Sequence, residues 1–183
     1  MTIHPGWMNP AGADDLLHEL TASLPWEVHR IRIFGRMVDS PRLSAWIGDA
    51  NATYTYSGTR FPALPWTPAL ALLRDRVAEA CGARFNSVLA NLYRDGTDSM
   101  GWHSDDEPEL GPHPVIGSLT LGATRTFRFR DRATGKHTMA LDLESGSLLR
   151  MAGQTQSLYR HDLPRRARAH GPRINLTFRQ IDS

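Results

Sequence analysis

After Phe85 the chain offers no stretch in which a helix of ordinary length fits. Seven short segments follow one another: SVLANLY, PVIGSLTLG, RTFRFRDR, HTMALDL, SGSLLRM, QSLYRH and RINLTFRQI. Each is rich in β-branched, aromatic or alternating apolar residues, and Gly, Pro or Asp turns separate them. Strands in such number bury their apolar faces only by pairing into sheets that fold back on each other, so the pattern predicts a β-sandwich or jelly roll. Upstream, two segments carry helix signals. Residues 12–23 place Leu16, Leu17 and Leu20 on one stripe, with acidic residues expected in the first turn and Pro25 beyond the end. A second helix is expected after Thr67 as N-cap, with Pro68 at the first helical position, Leu70, Leu73 and Val77 on one face, and Gly82 as terminator. Between them VHRIRIFGRMVDSPR alternates apolar and basic residues as far as Ile33 and turns at Phe34-Gly35, which predicts a hairpin. The expected class is α+β: one domain over 1–183, a jelly-roll core over about 85–181, and supporting N-terminal helices.

Composition excludes several alternatives. With 40% hydrophobic and 22% charged residues in 183, the chain has an ordinary globular balance rather than a disordered one. No apolar run approaches the roughly 18 residues of a membrane span. The start, MTIHPGWMNP, lacks the basic and apolar regions of a secretory signal. The lone Cys81 excludes an internal disulfide, is expected as a packed thiol, and fits a reducing cytoplasm. The net charge of +2 hides an asymmetry: residues 1–124 carry 9 Lys/Arg against 14 Asp/Glu, and residues 125–183 carry 12 against 5. A basic half of this kind suits a polyanionic partner such as nucleic acid, although scattered surface charge gives the same count.

His103 and Asp105 share a face if GWHSD is extended. Two ligands make a weak metal site, and a third must come from a distant strand. Of His113, His137, His161 and His170, only His161 sits at the end of a late strand; the others fall in loops or at a turn. His103, Asp105 and His161 would form a 2-His-1-carboxylate facial triad of the kind used by non-haem Fe(II) oxygenases. The competing reading is a solvated acidic loop containing Asp105, Asp106, Glu107 and Glu109. In RINLTFR, Arg173, Asn175, Thr177 and Arg179 share one strand face, opposite Ile174, Leu176 and Phe178. The two arginines, roughly 20 Å apart along a straight strand, would clamp a small dicarboxylic acid only with curvature or side-chain reach. Asn91 and Tyr93 share a face of SVLANLY and are suited to hydrogen bonds with a bound acid or to structural ones.

NLYRDGTDSMGWHSDDE, GSLTLGATRTFRFR, SGSLLRMAG, LYRHDLP and PRINLTFRQI, in that order, resemble the AlkB family of Fe(II)- and 2-oxoglutarate-dependent dioxygenases. The resemblance extends upstream through IRIFGRMVDSPR, IGDANATYTYSG and PWTPALALLRDRV, covers about residues 28–181, and is strongest to homologues acting on duplex DNA. It implies a double-stranded β-helix with a nucleotide-recognition lid over about 26–66. It implies Fe(II) held by His103, Asp105 and His161, with 2-oxoglutarate and O2 as cosubstrates. Arg173 would pair with the distal carboxylate of 2-oxoglutarate and Arg179 with the end that chelates iron, while Asn91, Tyr93, Asn175 and Thr177 complete that pocket. Tyr56, with Tyr54 nearby, would stack on a flipped base opposite His103; Asp106 and Glu107 would line the lesion pocket; and Ile33, Phe34 and Gly35 would intercalate. The implied reaction is oxidative demethylation of 1-methyladenine- or 3-methylcytosine-type bases in DNA by a monomer, releasing succinate, CO2 and formaldehyde. The same chemistry on RNA, single-stranded DNA or a protein side chain, and a non-catalytic nucleic-acid-binding jelly roll, are the alternatives; a zinc hydrolase should lack the paired arginines. Arg128, Arg130, Arg132, Arg165, Arg166 and Arg168 are candidates for phosphate contacts.

Overall fold

A computed structural model of the chain describes residues 1–182 except 34, 35, 53, 57, 58 and 62, with backbone alone for 30–33, 36–37, 54–56 and 59–61. In chain order the elements are β1 (Thr2–His4), α1 (Pro10–Ser23), β2 (Arg30–Ile33), β3 (Arg36–Asp39), β4 (Leu43–Gly48), β5 (Tyr54–Tyr56), β6 (Thr59–Phe61) and α2 (Pro68–Cys81). There follow β7 (Ser87–Tyr93), β8 (Met100–His103), β9 (Ile116–Gly122), β10 (Arg125–Asp131), β11 (His137–Leu143), β12 (Leu148–Met151), α3 (Thr155–Leu158), β13 (Tyr159–Leu163) and β14 (Arg173–Arg179). The larger antiparallel sheet has the order β1-β12-β9-β14-β7-β4, and the smaller one β11-β10-β13-β8. Two hairpins, β2–β3 and β5–β6, form small sheets of their own. This is the expected jelly roll with helices against the larger sheet.

The side-chain alternation of the central strands decides what lies on each side. Val88, Ala90 and Leu92 of β7 and Ile174, Leu176 and Phe178 of β14 join Leu20, Leu70, Leu73 and Val77 in one buried cluster under α1 and α2. The alternate residues, Asn91 and Tyr93 of β7 and Arg173, Asn175, Thr177 and Arg179 of β14, point between the two sheets. A second cluster, Ile116, Phe129, Leu143, Leu149 and Met151, closes one end of that space. Every residue of β7 is therefore buried: Val88, Ala90 and Leu92 against the apolar cluster, and Leu89, Asn91 and Tyr93 toward the interior between the sheets.

Thr67 caps α2 through an Oγ1 that accepts from Leu70 N at 3.2 Å, and Gly82 ends it with φ 59°. Cys81 is buried, and burial pushes its thiol up from the usual value. Two expectations are corrected, and a third segment gains a structural role. Helix α1 begins at Pro10, with Asn9 Oδ1 accepting from Gly12 N at 2.8 Å, so its first turn holds no acidic residue. QSLYRH is not one strand, because residues 155–158 form a single helical turn before β13. Strand β4, inside the segment expected as a lid, pairs along β7 as the edge of the larger sheet.

Gly117 of β9 is where α2 lies closest to the sheet: a Cβ there would stand 2.7 Å from Val77 Cγ1 and 3.2 Å from Cys81 Sγ. Gly117→Val is expected to destabilise by roughly 1–3 kcal/mol or more through overpacking. The measurement is the denaturant midpoint, and a Gly117→Val protein as stable as wild type would contradict this packing.

Candidate metal centre

Strand pairing brings the two histidines together. His161 of β13 is the direct partner of His103 on β8 and of Phe129 on β10. The imidazole centroids lie 4.2 Å apart at 78°. Strand β8 ends at His103, so Asp105 sits in the following turn rather than on the strand. Two hydrogen bonds fix that turn: Ser104 Oγ donates to Tyr159 O at 2.9 Å, and Asp105 N donates to Gln156 Oε1 at 3.0 Å. Ser104 is thus a tie between β8 and β13 as well as a spacer.

His103 Nε2 lies 3.9 Å from Asp105 Oδ1, and His161 Nε2 lies 4.0 Å from Oδ2. One ligand atom from each residue falls within 4.8 Å of the others, the one such cluster among the described residues. Two imidazole nitrogens and one carboxylate oxygen, open toward a cavity, are the donor set and geometry of a facial triad with free coordination positions. His103 Nδ1 is 2.8 Å from Gly101 O; donating there, it leaves the Nε2 lone pair toward Asp105. Burial raises the Asp105 carboxyl, but Arg179, His161 and His103 outweigh it and hold the group at about 2. Burial and the neighbouring His103 push His161 down to about 3, and burial also lowers His103. At neutral pH the three groups are therefore two neutral imidazoles and a carboxylate, with His161 Nε2 3.2 Å from Gln156 Oε1, a contact that a metal would displace.

The cavity beside them is floored by β14. Arg179 Nη2 donates to Asp105 Oδ1 at 2.8 Å. At the other end of the strand, Arg173 Nη2 donates to Thr120 Oγ1 at 2.9 Å and to Asn175 Oδ1 at 3.0 Å. Arg173 Nε is buried and has no hydrogen-bond partner among the described residues. Burial brings that guanidinium down to about 10, the signature of a buried cation that an anion would relieve. Asn175 also accepts from Ser118 Oγ and donates to Thr177 Oγ1, so this pair braces the floor. Asn91 Oδ1 accepts from Arg42 Nε at 2.7 Å, and the Tyr93 ring lies 5.4 Å from the Arg173 guanidinium. Both arginines line one cavity despite their spacing along the strand.

The remaining expected residues are placed differently. Asp106 is exposed and pairs with Arg132 at 2.6 Å. Glu107 precedes a 3-10 turn, Pro108–Leu110, and neither acid lines the cavity around the triad. Ile33 ends β2 and Tyr54 and Tyr56 bound β5, each described in backbone only; Phe34 and Gly35 lie outside the described residues. The sequence did not single out Arg42, Gln156 or Arg125, which buttress the site from outside; a short stretch of sequence shows no periodicity for such partners.

The protonation states predict a pH response of the metal-free protein. His161 and Asp105 have folded values below their unfolded ones, so the unfolded chain binds more protons and stability falls with acidification. The melting temperature should drop as pH falls from about 6.5 toward 3, with a shallower slope in His161→Gln. A slope identical in both proteins would contradict a neutral buried His161.

A family model described as the 2OG-Fe(II) oxygenase superfamily matches residues 1–179. Alpha-ketoglutarate-dependent dioxygenase alkB homolog 3 of Homo sapiens is 40% identical over 188 residues, which span 98% of this chain and 65% of that protein. DNA oxidative demethylase ALKBH2 of Mus musculus is 42% identical over 181 residues, 93% of this chain and 76% of that protein. The chain thus spans 65% of the length of the alkB homolog 3 relatives from human and mouse. A solved structure of OsALKBH1 superposes with a TM-score of 0.68 at 19% identity, covering 98% of this chain and 97% of that one, a likeness of fold. By the family match along nearly its whole length and its similarity to these relatives, the chain belongs to the 2OG-Fe(II) oxygenase superfamily, within its AlkB family.

Proposed function

We propose that the chain is an oxidative demethylase of N-alkylated DNA bases of the 1-methyladenine and 3-methylcytosine type. The observation that carries this reading is the convergence of His103, Asp105 and His161 at the mouth of a cavity floored by two buried arginines. His103 Nε2, His161 Nε2 and an Asp105 oxygen would hold Fe(II). When bound, the iron supplies activation of O2 coupled to decarboxylation of 2-oxoglutarate to succinate and CO2, with hydroxylation of an N-methyl carbon that leaves as formaldehyde.

The protein's part is charge placement and positioning. Arg173 holds the distal carboxylate of 2-oxoglutarate, helped by Thr120 and Tyr93, and Arg179 steers the carboxylate nearer the metal while keeping Asp105 ionised. His103, 25% exposed, presents its ring at the mouth as one wall for a flipped base, with Tyr56 as the other. Asp106, outside the cavity lining and paired with Arg132, is the acid we assign to favouring a cationic lesion. The β2–β3 hairpin carries Ile33, Phe34 and Gly35 as a wedge, which suits duplex substrate. The segment over about 26–66 acts as the nucleotide-recognition lid and residues 85–181 as the catalytic core. The basic residues after 124 favour nucleic acid over a protein side chain as substrate. No helix among the described residues is long and apolar enough to cross a membrane. We read the protein as a monomer acting on DNA in the cytoplasm, a compartment in keeping with its one buried thiol.

The test is loading with Fe(II) and 2-oxoglutarate followed by assay of methylated duplex and single-stranded oligonucleotides for formaldehyde and succinate. Asp105→Ala should lose at least ~100-fold in demethylation, since removing even an outer-shell partner of a metal ligand costs about 10–100-fold. An Asp105→Ala protein as active as wild type would sink the triad. Replacing Ile33 and Phe34 by alanine should reduce duplex turnover more than single-strand turnover; equal losses would refute the wedge.

A further inference from the structure

Arg125 opens β10 and is among the most deeply buried side chains of the protein, 1% exposed. Its Nη1 donates to Asp95 O at 3.0 Å, and its Nη2 donates to Asp98 O at 2.9 Å and to Pro164 O at 2.7 Å. Nε has no hydrogen-bond partner among the described residues, and no carboxylate there lies within ion-pair reach of the guanidinium. The nearby Asp98 carboxylate is engaged by Arg94 at 2.8 and 2.9 Å. Arg125 is therefore a buried cation hydrogen-bonded only to neutral carbonyls; Asp98 and Asp95 stabilise its charge from a distance and Arg166 opposes them, so part of its desolvation cost is left for another charge to offset.

The location of this charge is informative. The Arg125 guanidinium carbon stands 6.0 Å from the Tyr93 ring centroid, and that of Arg173 stands 5.4 Å from the same centroid. Two buried cations thus share one phenol at the end of the cavity away from Asp105. Burial is the main cause that lowers the proton affinity of both guanidiniums, and the charge of Arg125 adds to the depression at Arg173. The carbonyls Arg125 grips belong to the loop from β7, which bears Tyr93, to β8, which bears His103, and to the residue after β13, which bears His161. The approach in that loop is close, since a Cβ on Gly96 would stand 2.0 Å from Arg166 O.

We propose that Arg125 is a positioning residue for the cosubstrate: a second buried positive charge that, across Tyr93, completes the electrostatic site for the distal carboxylate of 2-oxoglutarate. This rests on the reading of Arg173 given under Proposed function. A bound carboxylate offsets one of the two positive charges and is attracted by both, whereas a 2-oxo acid ending in a methyl group offsets neither. Arg125 thereby selects dicarboxylic over monocarboxylic 2-oxo acids without touching them.

The test is equilibrium binding by calorimetry to the anaerobic Mn(II)-loaded protein, comparing 2-oxoglutarate with 2-oxopentanoate, which has the same chain without the distal carboxylate. Arg125→Gln keeps hydrogen-bond donors and removes the charge; it should weaken 2-oxoglutarate roughly tenfold, the scale of one charge acting through a partly shielded interior, and move 2-oxopentanoate less than about twofold. Arg125→Lys should stay within about threefold of wild type for both ligands. Equal weakening of both ligands in Arg125→Gln, or no weakening of 2-oxoglutarate, would overturn the proposal. Should Arg125→Gln fail to fold, a folded Arg125→Lys that loses 2-oxoglutarate tenfold overturns it, and one that retains the preference supports it. Arg173→Gln separates the two readings. If it leaves 2-oxoglutarate binding unchanged, the cosubstrate pocket itself is misassigned; if it weakens binding and Arg125→Gln does not, only the role of Arg125 fails.

Discussion

The ion pair between Arg179 and Asp105 joins the two sheets at the point where the chemistry is expected. Arg179 ends β14 in the larger sheet, Asp105 follows β8 of the smaller one, and both side chains are 5% exposed or less. A buried pair of this kind adds little net stability, but removing one partner strands a charge and costs on the order of 3–5 kcal/mol. The pair also keeps the carboxylate ionised against a burial that favours its protonated form. Fold and site therefore share one interaction: the charge that registers the sheets is the charge that a metal needs.

Around that point, strict two-residue alternation does most of the remaining building. β7 and β14 sit in the middle of the larger sheet, with α1 and α2 over one face and the smaller sheet over the other, so both of their faces are enclosed. One face is apolar and packs under α1 and α2. The other is polar, and such a face survives burial because its members satisfy one another: Ser118 with Asn175, Asn175 with Thr177, Arg173 with Thr120, Arg42 with Asn91. What is left over at Arg173 is an excess of donors and positive charge, which defines an anion's place before any anion arrives.

Much of this was legible in the sequence because it depends on period. The strands from β7 to β14 and helix α2 carry their signals locally, through alternation and through Thr67, Pro68 and Gly82. The triad was legible as a candidate because His103 and Asp105 stand two residues apart and His161 falls in a late strand, while the family resemblance gave the combination its meaning. Other features were not readable. Strand β4 is buried over Ser44–Gly48, so it shows no alternation, and β1 is three residues at the start of the chain. Arg125 and Gln156 look like ordinary polar residues of a strand and a turn; only tertiary contact turns them into braces for Tyr93 and for the Asp105 turn. Asp106 shows the same limit, since its partner Arg132 lies 26 residues away in sequence.

The central claim is that His103, Asp105 and His161 bind one divalent metal that, with β14, receives 2-oxoglutarate. Anaerobic calorimetry of the metal-free protein with Fe(II), followed by 2-oxoglutarate, tests it most directly. The account predicts one metal per chain, loss of that site in His161→Ala, and 2-oxoglutarate binding that is much tighter after metal than before. Metal binding unchanged in His161→Ala, or 2-oxoglutarate binding indifferent to the metal, would contradict it.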